Sequence, residues 1–136
     1  MSMKDNMATQ ERLANAVNTG QLNDLDLVFA RSVVDHDPAP NQGPGPQGFK
    51  QFFSTLRRAF PDLHITPDHV DASEDDIALA YTITGTHQGD FLGVAPTGKQ
   101  ISARGMQIAR FEDGKIVERW GSSDELGILK QLGVTP

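Results

Sequence analysis

The chain contains no cysteine. This absence excludes disulfide bonds, thiolate nucleophiles, thiolate metal ligands and thiol redox chemistry. Long apolar runs are absent as well, and none approaches the ~20 residues that a helix needs to span a bilayer. The polar stretch over residues 1–11 lacks the apolar segment of a signal peptide. We therefore expect a cytoplasmic domain that does not associate with membranes.

Basic residues are few and scattered. The chain has 12 Lys and Arg residues against 18 Asp and Glu residues, with a formal net charge of −6, and Arg57-Arg58 is its one adjacent basic pair. A nucleic-acid-binding surface needs clustered cations, so we expect no nucleic-acid partner. The 4 histidines show neither HxxxH nor HxH spacing, so we expect no metal site.

The composition is that of one ordinary globular domain. The 136 residues are 38% hydrophobic and 22% charged, and no repeat or low-complexity tract divides them. Such a chain is long enough for a single core with a pocket inside it. We expect one domain over residues 1–136.

Helical spacing dominates the first half of the chain. A weak apolar stripe predicts a helix over residues 7–17, with Gly20 as its stop signal. Apolar residues at helical spacing predict a short second helix over 22–29. A stronger stripe predicts a third helix over 49–60. The Pro- and Gly-rich stretch 38–48 is expected to be a loop, and a loop of this length often has a function.

Strand signals dominate the second half. A strand region is expected over 63–70, a strand with one bulky face over 77–84, and a long strand over 100–111. Asp113-Gly114 predicts a hairpin turn, and 116–121 is the return strand.

A closing helix is expected over 126–132. Ser122 or Ser123 can cap it, and Asp124 is a further candidate for the cap. The order is helices, then an antiparallel meander, then a closing helix, which predicts the α+β class.

Several segments carry a family resemblance, and they occur in the family's order. They are VDHDP (34–38), AFPDL (59–63), GTHQGDFLGVAPTG (85–98) and FEDGKIVERW (111–120) followed by LGIL (126–129). From about Leu13 to Gly133 the chain resembles the SnoaL-like polyketide cyclases of the NTF2-like superfamily. The resemblance implies a cone in which N-terminal helices pack on a curved, mainly antiparallel sheet. That cone encloses a pocket for a small-molecule ligand or substrate.

The resemblance also implies a type of chemistry. SnoaL-type enzymes are cyclases that close a ring of an anthracycline precursor by an intramolecular aldol reaction, without metal or cofactor. The reaction needs an acid/base group, donors for the developing enolate and a pocket that excludes water. The family's key Asp follows the Trp of the last strand, and a His lies on the preceding strand. Gly121 and Gln107 stand at these positions, so His36 or Asp124 would have to replace the acid/base group.

Each replacement has a second interpretation. His36 lies between Asp35 and Asp37, either of which would orient its imidazole for proton transfer. Alternatively, His36 hydrogen-bonds the loop backbone and stabilises the turn that follows. Asp124 is either the acid/base group or the cap of the closing helix. His87, in a Gly-flanked loop, is expected to be structural.

A further set of residues is expected to line the pocket. Arg104 and Gln107 lie on opposite faces of a regular strand, so only one of them points inward. An inward Arg104 needs a carboxylate partner, whereas an outward one needs none. Bulky aromatic residues on the strands and on the third helix either line the pocket or belong to the core. The expected pocket residues are His36, Phe53, Tyr81, Arg104, Gln107 and Trp120.

Two functions remain open. The missing acid/base groups favour a non-catalytic domain that binds a small apolar or aromatic metabolite. The alternative is a cofactor-independent cyclase or isomerase that transfers a proton next to a carbonyl through His36 or Asp124. An epoxide-hydrolase-like Asp–Arg–Asp arrangement is disfavoured, because Met106 stands two residues after Arg104. Apolar residues on both faces of the long strand, with the family's usual pairing through the convex face, predict a homodimer.

Overall fold

The computed structural model describes residues 2–134. The elements, in chain order, are α1 (Met3–Thr19), a 3₁₀ helix (Leu22–Leu27), β1 (Phe29–Asp35), α2 (Gly45–Ala59), β2 (His64–Ala72), β3 (Asp76–Thr86), β4 (Gln100–Glu112), β5 (Lys115–Ser123) and α3 (Glu125–Gln131). Helices packed on a curved five-stranded sheet confirm the predicted α+β class. Within the described range, no helix is long and apolar enough to cross a membrane.

The helix ends follow local chemistry. Ser2 and Asp5 form a capping box at the start of α1, in which the Ser2 hydroxyl accepts from the Asp5 N–H at 3.2 Å. Gly20 takes a left-handed φ of 81° and ends α1, as predicted. α2 begins at Gly45, with Pro46 in its first turn, where no backbone N–H is needed. The loop predicted over 38–48 therefore ends earlier than expected.

The sheet has the strand order β1-β5-β4-β3-β2. Strands β2 to β5 form the predicted antiparallel meander, and β1 pairs in parallel with β5. In the β4–β5 turn, Asp113 and Gly114 have φ of 51° and 75°. Two successive positive φ values are those of a type I′ hairpin, which confirms the turn predicted from Asp-Gly.

β1 was not predicted from the sequence. The helix expected over 22–29 is a 3₁₀ helix that ends at Leu27, and Phe29 already begins the strand. Phe29 pairs with Ile116 of β5, and its ring stacks on that of Phe49 in α2 with 4.0 Å between centroids. These long-range contacts override the helical spacing of the segment.

The two faces of the sheet differ. α1 and α2 pack on the inner face, and the core there includes Leu13, Val17, Phe49, Phe60, Ile77, Ala109 and Phe111. The outer face carries an exposed apolar patch, which consists of Val34, Met106, Ile108 and Trp120.

Asp124 caps α3. Its Oδ1 accepts from the Gly127 N–H at 2.8 Å. Ser122 and Ser123 belong to β5, so the expectation that one of them caps the helix is wrong. The expectation that Asp124 caps it is confirmed.

Candidate functional site

A cavity of about 980 Å³ lies between the inner face of the sheet and the helices α1 and α2. A second cavity of about 460 Å³ adjoins it, and Phe53, Gln107 and Arg119 line both. Volumes of this order accommodate a drug-sized ligand.

The wall of the large cavity is mostly apolar. Its apolar residues include Leu13, Val17, Phe52, Phe53, Leu56, Phe60, Leu79, Ile83, Phe91 and Ile128. The loop segments 39–42 and 90–93 complete part of the wall. In such a site the apolar surface supplies most of the burial, and a few polar groups determine how a ligand is oriented.

Three neighbouring strands contribute polar side chains to the wall. Gln107 of β4 pairs with Gly121 of β5, and Tyr81 of β3 pairs with Gly105 of β4. Arg119 precedes Gly121 by two residues and therefore shares its face. Tyr81, Gln107 and Arg119 all line the large cavity.

Two glycines make room for two of these side chains. A Cβ added at Gly105 would lie 2.5 Å from the Tyr81 hydroxyl oxygen, and one added at Gly121 would lie 2.7 Å from Arg119 Cζ. Both separations are far below ordinary van der Waals contact. The Tyr81 side chain thus lies over Gly105, and the Arg119 guanidinium lies over Gly121.

Arg119 is held by a hydrogen-bond network. Its Nη1 pairs with Asp35 Oδ1 at 3.1 Å and donates to the Asp37 carbonyl at 3.4 Å, and its Nε donates to Gln107 Oε1 at 3.1 Å. The Asp35 side chain is only 7% exposed, and it also accepts from Gln42 Nε2 and from the Asp37 N–H, each at 3.0 Å. Asp35 therefore fixes Arg119 and ties the loop after β1 to the sheet.

Some hydrogen-bonding groups on this wall are left for a ligand. Within residues 2–134, Arg119 Nη2, Gln107 Nε2 and the Tyr81 hydroxyl have no protein partner. Burial raises the pKa of the Tyr81 phenol, although nearby Arg119 opposes the effect. The phenol therefore stays protonated at neutral pH and can donate a hydrogen bond.

The structure brings together half of the predicted pocket residues. Phe53, Tyr81 and Gln107 line the large cavity. Phe53 projects from α2, whereas Tyr81 and Gln107 project from the sheet.

The structure places His36, Arg104 and Trp120 on the outer side of the sheet, and none of them lines either cavity. The His36 ring stacks on that of Trp120 with 4.7 Å between centroids. Strand alternation is the cause, because Asp35 and Arg119 point inward and their immediate neighbours must point outward. The pocket placement predicted for these three residues is therefore corrected.

The other two candidates, Asp124 and His87, form hydrogen bonds within the fold. Asp124 borders the smaller cavity, but its carboxylate is hydrogen-bonded as the α3 cap. His87 is fully buried, and its Nδ1 accepts from the Thr97 N–H at 3.1 Å, in keeping with the structural role expected for it. Across the described residues, no group of three or more His, Asp or Glu side chains is placed to hold a metal ion.

Arg119 and Asp35 were not predicted as site residues. Arg119 stands in a polar stretch of β5, beside Glu118, and gives no local sign of burial. A signal was nevertheless available in the strand period. If Gly121 faces the pocket, then Arg119, two residues earlier, must face it as well.

The fold defines the class: helices packed on a curved five-stranded sheet, followed by a short C-terminal helix, form an NTF2-like fold. The sequence model for the "SnoaL-like polyketide cyclase" family matches residues 7–132. The chain therefore belongs to the SnoaL-like polyketide cyclase family, as the resemblance predicted.

Individual relatives agree with this assignment. Aklanonic acid methyl ester cyclase DnrD from Streptomyces peucetius is 27% identical over 93% of this chain and 92% of its own length. The structure of AclR from Streptomyces galilaeus is similar with a TM-score of 0.86, at 32% identity over 99% of this chain and 100% of that chain. TsrD from Streptomyces laurentii shares the fold with a TM-score of 0.91, at 24% identity over 99% of each chain.

Proposed function

We propose that this chain binds a small, largely apolar carbonyl compound, such as an aromatic polyketide-type metabolite, without the acid/base catalysis of the cyclases. The observation that carries the proposal is at position 121. Where the family resemblance places the cyclase Asp, this chain has Gly121, and the Arg119 guanidinium lies over it. Arginine stays protonated, so it can bind an oxygen but cannot shuttle a proton.

The other family position supports the same conclusion. Gln107 stands where the resemblance places a His, and an amide does not titrate. The two possible replacements are engaged elsewhere, His36 in a stack on Trp120 and Asp124 in the cap of α3. What remains is an apolar cavity with hydrogen-bond donors at one end, which is suited to binding.

A cofactor-independent cyclase or isomerase is the second candidate. The aklanonic acid methyl ester cyclase DnrD favours it, since that relative matches 93% of this chain. The reaction would be an intramolecular aldol condensation or a proton transfer next to a carbonyl, with His36 or Asp124 as the acid/base group. Positioned acid/base catalysis contributes about 10²–10⁴ in rate, so its loss predicts very slow turnover.

Binding is tested by titrating the protein with anthraquinone, a neutral polycyclic carbonyl compound. Ala14 of α1 lines the large cavity, so Ala14→Trp places an indole ring in the space that a ligand would occupy. Ala8, at an exposed position of the same helix, supplies the matched control Ala8→Trp. We expect binding to weaken at least about tenfold in Ala14→Trp, a change of about 1.4 kcal/mol, and to be unchanged in Ala8→Trp. Equal affinities in the two variants, or no binding by the unmodified protein, would contradict the proposal.

Catalysis is tested separately, by following an anthracycline-type precursor with mass spectrometry. We expect no cyclisation above the rate without protein. Rapid turnover that is lost in His36→Ala or Asp124→Ala would instead establish the second candidate.

We also propose that the chain forms a homodimer through the exposed apolar patch on the outer face. Ile108 and Trp120 pair directly across β4 and β5, and Met106 lies one pleat away on the same face. Met106 is 67% exposed and Val34 is 49% exposed, so the patch places large apolar side chains in water. Clustered apolar surface of this kind is typical of an interface, and two-fold symmetry is the commonest arrangement.

A further inference from the structure

We infer that the cavity selects a ligand with an ionised oxygen, the enolate of a β-dicarbonyl compound or the phenolate of a hydroxyaromatic compound. Its oxygen is bound by the donor patch, which consists of Arg119 Nη2, Gln107 Nε2 and the Tyr81 hydroxyl. This inference rests on the proposed function, since it names the class of ligand that the cavity takes.

The members of the donor patch are close neighbours. Gln107 Oε1 accepts from Arg119 Nε at 3.1 Å, which turns the Nε2 side of the amide away from the guanidinium. Tyr81 lies over Gly105, two residues from Gln107 on the same strand. The donor patch therefore spans three adjacent strands on one side of the cavity.

The donor patch offers hydrogens and no free carboxylate. Arginine has donors only, and the Gln107 carbonyl is already taken by Arg119. Burial raises the pKa of the Tyr81 phenol, which keeps its proton available. Each of these groups can donate to a ligand oxygen.

Within the described part of the chain, a polar atom of α1 beside this cavity also lacks a partner, and it is a hydrogen-bond acceptor that lies outside the donor patch. Gln10 of α1 lines the large cavity and is only 7% exposed. Its side-chain oxygen is buried without a partner among the described residues. A buried polar atom without a hydrogen bond is costly, and native structures retain few of them.

Arg119 supplies the positive charge of the donor patch through its Nη2 group. Asp35 neutralises Arg119 from the Nη1 side, and the Asp35 carboxylate is further occupied by Gln42 and the Asp37 N–H. Nη2 lies over Gly121, whose own N–H donates to the Asp37 carboxylate at 2.9 Å. Hydrogen bonds from a charged donor to an anion are about twice as strong as neutral ones. The other charged residues that line the two cavities are Lys50, Arg58, Asp90, Glu125, Asp37 and Asp124.

The chemical consequence is that this chain keeps one of the two kinds of group that a cyclase uses and lacks the other. Donors aimed at a developing oxyanion stabilise an enolate, whereas a separate base must create it. This chain retains an oxyanion-binding site and lacks the titratable groups that the resemblance places at positions 107 and 121. It therefore holds an enolised or phenolic compound without converting it.

The experiment measures the ionisation of a bound probe. 2-Hydroxyanthraquinone changes its visible absorption when its phenol ionises, and anthraquinone is the neutral parent that reports cavity binding alone. We expect the pKa of the protein-bound phenol to lie about one pH unit below that of the free probe. This difference corresponds to about tenfold tighter binding of the anion than of the neutral form.

Variants assign the effect to the donor patch. Gly121→Ala displaces the guanidinium with a Cβ, and Gln107→Leu removes Nε2 together with the Oε1 that accepts from Arg119 Nε. Both should bring the pKa of the bound probe back toward its free value while anthraquinone still binds. Arg12→Met is the control for lost positive charge, because Arg12 is exposed on α1 and lines neither cavity. It should bind the probe like the unmodified protein.

The outcomes separate this inference from the proposed function. If both probes bind and the phenol pKa is unchanged or raised, the ionised ligand is excluded and the proposed function stands. If both variants retain the lowered pKa, another cation such as Lys50 or Arg58 is responsible and the donor patch is wrong. If neither probe binds, both proposals fail.

Discussion

Glycine at position 121 changes the charge of the site through its neighbour. The family resemblance places a carboxylate there, whereas in this chain the Arg119 guanidinium lies over the bare backbone. A side chain at this position would compete with the guanidinium for the same space. The effect of Gly121 therefore includes the position of Arg119, which Asp35 holds in place at 3.1 Å.

Asp35→Asn tests how strongly this ion pair supports the fold. The Asp35 and Arg119 side chains are 7% and 17% exposed, so the variant leaves a largely buried cation without its anion. We expect urea denaturation to show a loss of about 2–3 kcal/mol in the free energy of unfolding. The matched control is Asp26→Asn, which breaks the pair with Lys50 at a site where Asp26 is 59% exposed. That change should cost less than about 1 kcal/mol, and equal losses in the two variants would contradict the role of Asp35.

Strand alternation was sufficient to separate Arg104 from Gln107, but not to say which of them faces the cavity. That choice depends on which face of the sheet the helices cover, and β4 carries apolar residues on both faces. Ile101, Ala103 and Phe111 are buried inside, while Met106 and Ile108 are exposed outside. The motif around His36 and the bulk of Trp120 predict pocket residues, but neither feature indicates which face of the sheet a side chain occupies.

Among the elements, those with strong local signals were predictable. α2 has a clear apolar stripe, β3 alternates, and the Asp113-Gly114 turn matches its hairpin type. β1 lacks such a signal because its stability comes from pairing with β5, near the other end of the chain. Contacts at long sequence separation leave no periodic trace in the segment itself.

Asp62 connects the turn after α2 to the end of β3 and gives the fold a pH dependence. Its carboxylate accepts from the Thr86 N–H at 2.7 Å and from the Thr86 hydroxyl at 2.8 Å, and these bonds lower the pKa of Asp62 from its ordinary value of 3.8. A carboxyl group with a lowered folded pKa stabilises the protein above its unfolded pKa. That contribution is lost as the pH falls through the folded pKa.

The difference in melting temperature between the unmodified protein and Asp62→Asn should therefore be largest near neutral pH and shrink below about pH 4. Asp75→Asn, at an exposed carboxylate, serves as the control and should show little difference at any pH. A difference for Asp62→Asn that grows toward acid pH would refute this account.

The start of α3 offers a test of the role of Asp124. Asp124→Ala removes the acceptor of the Gly127 N–H and should cost about 1 kcal/mol of unfolding free energy. Ser122→Ala, two residues earlier in β5, should change it by less than about 0.5 kcal/mol. Identical stability of Asp124→Ala and the unmodified protein would exclude the cap as the reason for the Asp, and would return Asp124 to the acid/base candidates.

On the scale of the whole molecule, the sheet separates the two proposed functions. Its inner face carries the cavity and the donor patch, and its outer face carries the exposed apolar patch of Val34, Met106, Ile108 and Trp120. Because neighbouring residues on a strand point to opposite faces, a change on one face need not disturb the other. The proposed assembly can therefore be altered without altering the cavity.

Met106→Glu tests the proposed homodimer. A Glu at this position stays in water in the monomer, where Met106 is 67% exposed, but it would bring a charge into an apolar interface in the dimer. Light scattering at micromolar concentration should give twice the 14.8 kDa chain mass for the unmodified protein and the single mass for the variant. Met3→Glu adds the same charge at a site on α1 that is 43% exposed, and it should remain dimeric. The melting temperature of the dimer should rise with protein concentration, and that of Met106→Glu should not. A monomeric unmodified protein would refute the dimer, and a dimeric Met106→Glu would move the interface away from the outer face.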